Sequence, residues 1–123
     1  MPVKNSQHTG QAGEEIARSY LQQKGYHIVA SNWRFKKYEI DIIARKGNTM
    51  IFAEVKMRAN NAFGEPEEFV SKYKQRYLIA AAHHYLTEKN MDAESRFDVI
   101  AITGQEPDHR ILHLEDAFYP LVK

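Results

Sequence analysis

At 123 residues and 43% hydrophobic content, the chain has the size of one domain around one core, which excludes a second domain of ordinary size. Its 17 Lys and Arg nearly cancel its 16 Asp and Glu, so any phosphate-binding surface must be local rather than a consequence of whole-chain charge. The absence of cysteine excludes disulfides, thiolate metal sites and cysteine nucleophiles.

The opening "MPVKNSQHTG" has no apolar signal core, and no stretch approaches the roughly 18 apolar residues of a membrane span. A cytoplasmic protein with no membrane partner is therefore expected, with residues 1–9 flexible. Helical spacing begins after Gly10, where Ile16, Ala17, Tyr20 and Leu21 form one stripe and Gly25 marks a stop. At about 100° per residue, Gly13 falls at the centre of that stripe and Glu14 on its edge, while Glu15 points nearly opposite.

"YHIVASNWRF" reads as a first strand, and Glu39–Ala44 and Met50–Met57 as two more, joined by "RKGN" with a turn at Gly47-Asn48. A helix is expected over roughly Glu67 to Lys89, with Val70, Tyr73, Tyr77, Leu78, Ala81 and Tyr85 inward and Lys74 on the same stripe. "RFDVIAIT" and "HRILHLEDAF" supply the last two strands. The order helix, three strands, helix, two strands predicts an α/β fold with helices packed on a mixed sheet.

Acids interrupt the central hairpin where a strand should bury apolar side chains. Closing it at Gly47-Asn48 pairs Lys46 with Thr49, Asp41 with Glu54, and Glu39 with Lys56, and directly opposed Cβ atoms lie about 5 Å apart. Two opposed carboxylates repel one another, and a divalent cation between them reverses that sign. Magnesium, with manganese as an alternative, suits such hard oxygen donors. Lys56 projects to the same side and can orient or help deprotonate water and offset charge on a phosphate. Glu14 can complete the shell, and Lys74 or Gln75 can hold phosphate or water. This set suits metal-assisted phosphodiester hydrolysis.

The bland alternatives are specific. Glu14 is also explained as a first-turn acid at a helix N-terminus, and Glu39 as an ion-pair partner of Lys56. Lys72 and Arg76 in "SKYKQRY" read as ordinary surface charges, and Arg34, Lys36, Lys37 and Arg58 suggest nucleic-acid contact only as a group. Asp98 reads as structural, and His109 and His113 as ordinary loop and strand residues. His83 and His84, adjacent on a helix, cannot face one metal.

Asp41 followed by Glu54-Val55-Lys56 after a hairpin, with a glutamate on the preceding helix, resembles the D…ExK signature of restriction-endonuclease-like nucleases. Together with "AGEEIA", "NWR", "EIDIIA", "FAEVKMR", "FG", "KQ", "RFDVIA" and "DAF", the pattern from Gly10 to Phe118 resembles the bacterial YraN family, described as Holliday-junction-resolvase-like. The resemblance implies a restriction-endonuclease-like α-β-β-β-α-β core with Glu14, Asp41, Glu54 and Lys56 in the site, and Glu39, Gln75 and Lys74 near it. Tyr38 departs from the family, which commonly has glycine before the Glu-Ile-Asp run. The implied activity is Mg-dependent cleavage of DNA, structure-specific on branched forms, and a homodimer suits a two-fold junction; from their charge and place beside the acids, Lys74 and Arg58 are the expected DNA contacts. The rivals are a non-catalytic nucleic-acid-binding module and a protein-interaction subunit. Metal-dependent turnover separates the first reading from both.

Overall fold

The computed structural model describes residues 2–58, 70–104 and 108–118, with side chains from Ala12 onward in the first helix. Helix α1 (Pro2–Gln23) leads into strands β1 (His27–Phe35), β2 (Tyr38–Lys46) and β3 (Thr49–Arg58). Helix α2 (Lys72–Glu88) then connects to β4 (Glu94–Thr103) and β5 (Arg110–Phe118). The five strands form one sheet in sequence order, parallel only between β3 and β4, with α2 as the crossover that a parallel pair requires. This is the α/β architecture the sequence pattern implies: a mixed sheet flanked by two helices around an α-β-β-β-α-β core.

The sheet buries both faces. Ala17 and Leu21 of α1 pack with Ile42, Ala44, Ile51, Ala53, Ile100 and Ile102 on one side. Leu78, Ala81, Ala82 and Tyr85 of α2 pack with Ile43, Met50, Phe52, Phe97 and Val99 on the other. Alternate residues of each strand thus serve opposite cores, which is why the central strands read as nearly continuous apolar runs.

Local chemistry sets the element ends. Helix α1 begins at Pro2, earlier than the apolar stripe alone marks. It stops where Gly25 adopts φ 93 and the Tyr26 N–H reaches the Leu21 carbonyl while the Gly25 N–H reaches Gln22, the double bond of a glycine C-cap. Gly47, at φ 62, supplies the turn between β2 and β3, and Lys46 pairs with Thr49 as expected. Helix α2 starts at Lys72, later than the sequence pattern suggested, because the Ser71 hydroxyl accepts the Lys74 N–H and caps it there. The expected start at Glu67, and the "FG" motif, lie outside the described residues. Among the described residues, no helix is long and apolar enough to cross a membrane.

One corrected position follows from the late start of α2. Tyr73, expected inward, is 67% exposed on the first turn, whereas Leu78 and Tyr85 further along the helix are buried.

Candidate active site

Strand β2 changes face at Asp41. Ile43 packs on the α2 side and Ile42 on the α1 side, as alternation requires, but Ile40 returns to the α2 side. Opposite this break, β1 carries Asn32 at φ 54 between the pairs Ser31↔Ile42 and Trp33↔Ile40, an uncommon backbone for a side-chain-bearing residue. On the other edge, the β2–β3 ladder runs from Lys46↔Thr49 to Ile42↔Ala53 in the expected register. There the Asp41 carboxylate takes the place of a backbone partner, accepting the Val55 N–H at 2.8 Å.

That position exposes Asp41 to charges from both helical layers. Burial raises its pKa most, the charge of Glu54 raises it next, and Glu14 adds to the effect. The Val55 N–H and Lys74 pull it down only in part, so the group is pushed up to about 8. Asp41 in the metal-free protein therefore holds its proton near neutral pH.

Glu54 is 5% exposed and lies on the α2 side of β3, in phase with Phe52. One carboxylate oxygen, Oε2, faces two ammonium groups: Lys56 Nζ at 3.5 Å from the same strand and Lys74 Nζ at 3.8 Å from α2. Lys74 also lies over the Tyr77 ring, 4.9 Å from its centroid. The inward placement of Lys74 that the helical pattern indicated is thus met by a buried acid.

Glu14 enters from the other layer. Gly13 permits the close approach: a Cβ there would stand 3.3 Å from both Cβ and Sδ of Met57. Glu14 is 7% exposed, while Glu15 is exposed and lines a separate groove with Ser19, Tyr20 and His109. Burial raises the Glu14 pKa, against polar contacts with the Asn32 and Asp41 side chains and the nearby charge of Arg18. Asn32 was not singled out from the sequence; its only signal was its place in "NWR", since a left-handed residue inside a strand leaves no periodic trace.

Two expectations need correction. The β2–β3 ladder ends at Ile42↔Ala53, so neither Asp41 with Glu54 nor Glu39 with Lys56 is paired across it: Asp41 meets β3 through its carboxylate on the Val55 N–H, and Glu39, still opposite Arg34, forms its ion pair there at 3.5 Å. Gln75, expected near the acids, donates its side-chain amide to the Val70 carbonyl at 3.1 Å and braces the entry to α2. Arg58, at the end of β3, donates to the Met57 carbonyl and carries the last ladder position beside Thr103.

A third buried acid lies elsewhere. Asp98, fully buried, accepts two bonds from Arg96, one from His113 at 2.7 Å and the Asp116 N–H at 3.0 Å. Arg96 continues to the Tyr26 hydroxyl, between α1 and β1, and His113 to Tyr20 of α1, which ties β4 and β5 to the first helix and the turn that follows it. Burial would raise the Asp98 pKa, but His113 and Arg96 outweigh it and hold the acid below its ordinary range. Asp98 is structural, as the sequence indicated; the share of His113 in it was not legible.

The donor chemistry of Asp41 and Glu54, oxygens on adjacent strands in a low-dielectric setting, fits a hard divalent cation. Among the described residues, no three acidic or imidazole side chains are grouped closely enough to enclose an ion. Two carboxylates with the remaining positions left to water and phosphate is the way magnesium is commonly held.

The comparisons agree with this frame. The family model described as "Uncharacterised protein family UPF0102" matches residues 13–102, from the glycine that admits Glu14 through strand β4. The chain is 49% identical over 113 residues to a UPF0102 protein of Geotalea daltonii, covering 89% of this chain and 87% of that one. It is 46% identical over 110 residues to one of Christiangramia forsetii, covering 89% and 92%. Against one of Geobacter sulfurreducens the identity is 44% over 124 residues, covering 96% and 97%. With a family match across both helices and four strands, and relatives aligned over nearly their whole length, the chain belongs to the UPF0102 (YraN) family.

Proposed function

We propose that the protein is a metal-dependent nuclease that hydrolyses DNA phosphodiesters, with Asp41 and Glu54 as magnesium ligands. The observation that carries this reading is geometric: Asp41, anchored by the Val55 N–H at 2.8 Å, and the buried Glu54, whose Oε2 lies 3.5 Å from Lys56 Nζ and 3.8 Å from Lys74 Nζ, come together on neighbouring strands, and burial and the charge of Glu54 raise the Asp41 pKa. Like charges gathered in a low-dielectric setting cost stability, and a bound cation would offset that cost. Manganese, with the same preference for oxygen donors, would substitute.

Bound there, the metal would supply Lewis acidity toward a phosphoryl oxygen and make water easier to deprotonate. The chain's own residues supply the rest. Asp41 is oriented by the Val55 N–H, and Glu14 and Asn32 hold the far side of the cleft. Lys56 Nζ, 3.5 Å from Glu54, would orient water or meet charge on the phosphate. Lys74 and Arg58 would contact the DNA backbone, and a junction with two-fold symmetry would call for a homodimer.

The test is cleavage of duplex, single-stranded, flap and four-way-junction DNA with magnesium or manganese, with Glu54→Ala as control. Metal-dependent products absent from the control support the reading. DNA binding without turnover on any substrate would favour a non-catalytic binding module, and neither binding nor turnover a protein-interaction role.

A further inference from the structure

The site end of the sheet gathers more than the acids. The β1–β2 turn, the end of β3 and the first turn of α2 all meet there, because β2 begins and β3 ends beside the carboxylates. Lys36 and Lys37 project from the turn, and Lys72 and Arg76 from the outer side of α2, all exposed. Among the described residues, none of these four is paired with a carboxylate. The whole chain is close to neutral, so this concentration of cations is local.

Between the two groups runs an aromatic surface. Tyr77 packs edge-on against Tyr38 and donates its hydroxyl to the Lys37 carbonyl, fixing the turn to α2. Tyr73 precedes Tyr77 by four residues and so lies about 40° away on the same side of the helix. Unlike Tyr77 it has no ring partner among the described residues, and it stays 67% exposed next to Lys74, which reaches Glu54. A large aromatic ring left in water adds nothing to the core. Set among backbone-binding cations, it has a ligand chemistry of its own: the face of a base.

We propose that Tyr73 is a stacking platform for an unpaired base of single-stranded DNA, whose phosphates run across Lys72, Arg76 and the Lys36-Lys37 turn toward the acid cluster. In continuous duplex each base face is already covered by its neighbours, so the ring selects strands with single-stranded character: an overhang, a flap or a gap. Stacking uses the π-face common to all bases and confers no sequence preference. The inference deepens the nuclease reading by naming the form of DNA that the same site receives.

The test is fluorescence anisotropy of the full chain with labelled single-stranded DNA and with duplex of the same length, in EDTA so that neither metal nor cleavage enters. The wild type is expected to bind the single strand more tightly. Tyr73→Ala should weaken that binding roughly tenfold with duplex affinity unchanged, and Tyr73→Phe, which keeps the ring, should bind as wild type. A Tyr73→Ala variant with wild-type melting temperature that binds single strands normally, or that loses single-strand and duplex binding equally, would overturn the proposal. Because the assay contains no metal, its failure leaves the cleavage reading intact, and a protein that stacks single strands without cutting them fails only the cleavage reading.

Discussion

Two aspartates of the same sheet, Asp98 fully buried and Asp41 half-buried, have opposite electrostatic fates. Asp98 on β4 is enclosed by Arg96, His113 and a backbone N–H, and its pKa is lowered despite complete burial. Asp41 on β2 receives one backbone N–H and faces Glu54 and Glu14, and its pKa rises to about 8. Burial penalises both. The difference is that Arg96, His113 and a backbone N–H outweigh burial at Asp98, while at Asp41 the Val55 N–H and Lys74 offset burial and the like charges of Glu54 and Glu14 only in part. A compensated acid reads as architecture, and an uncompensated one as a site.

The comparison breaks most visibly on substitution. Asp98→Ala leaves the Arg96 guanidinium and the His113 ring without their shared acceptor, and should cost about 3–5 kcal/mol in urea unfolding. Asp41→Asn should do the reverse. The amide keeps an acceptor for Val55 N–H but cannot ionise, so above pH 8 the metal-free variant should be more stable than the wild type by about 1 kcal/mol or more, a shift of one pKa unit being worth about 1.4 kcal/mol. A variant less stable than wild type at that pH would remove the contrast between the two acids.

The pH profile of the metal-free protein carries the same contrast with both signs. Asp41, raised from 3.8 to about 8 on folding, contributes stability that is fully present below 3.8 and is lost as pH rises through about 8. Asp98, lowered from 3.8, contributes stability present above 3.8 and lost as pH falls through its depressed value. Unfolding midpoints should therefore fall as pH rises from 3.8 to about 8 for the wild type but not for Asp41→Asn, and should fall for both as pH drops below 3.8.

The smallest expected effect sharpens the site rather than the fold. Asn32→Gly accommodates φ 54 without a Cβ and should change stability by less than about 1 kcal/mol, yet it removes the amide that touches Glu14. If Glu14 acts in the site, the cleavage rate should drop while the urea midpoint holds. An unchanged rate would confine Glu14 to a packing role inside α1, which begins at Pro2 and so leaves Glu14 well past its first turn.

Hydrophobic periodicity made most of the frame legible. The hairpin register at Gly47-Asn48, the stop at Gly25 and the inward path of Glu14 beside Gly13 followed from turn chemistry and the helical wheel. Regular periods fail at irregular residues, and those are the ones at the site. The left-handed Asn32 and the face change at Asp41 uncouple β2 from β3, so Glu39 finds Arg34 and the continuation to Lys56 is lost. Tyr73 misled the wheel because the cap at Ser71 starts the helix only two residues earlier, before it covers the core. The joining of Asp98 to His113 and Tyr20 depends on contacts between distant strands and a helix, which spacing along the chain does not encode.

The most direct measurement is the titration of the Asp41 side-chain carboxyl carbon by NMR, without and with magnesium. The account predicts a midpoint near 8 in the metal-free protein, a fall toward the ordinary range in Glu54→Gln, and, in magnesium, ionisation of Asp41 at distinctly lower pH because cation and proton compete for the same oxygens. A midpoint near 3.8 that neither Glu54→Gln nor magnesium moves would contradict it, and Asp41 would then be a strand acid no different in kind from Asp98.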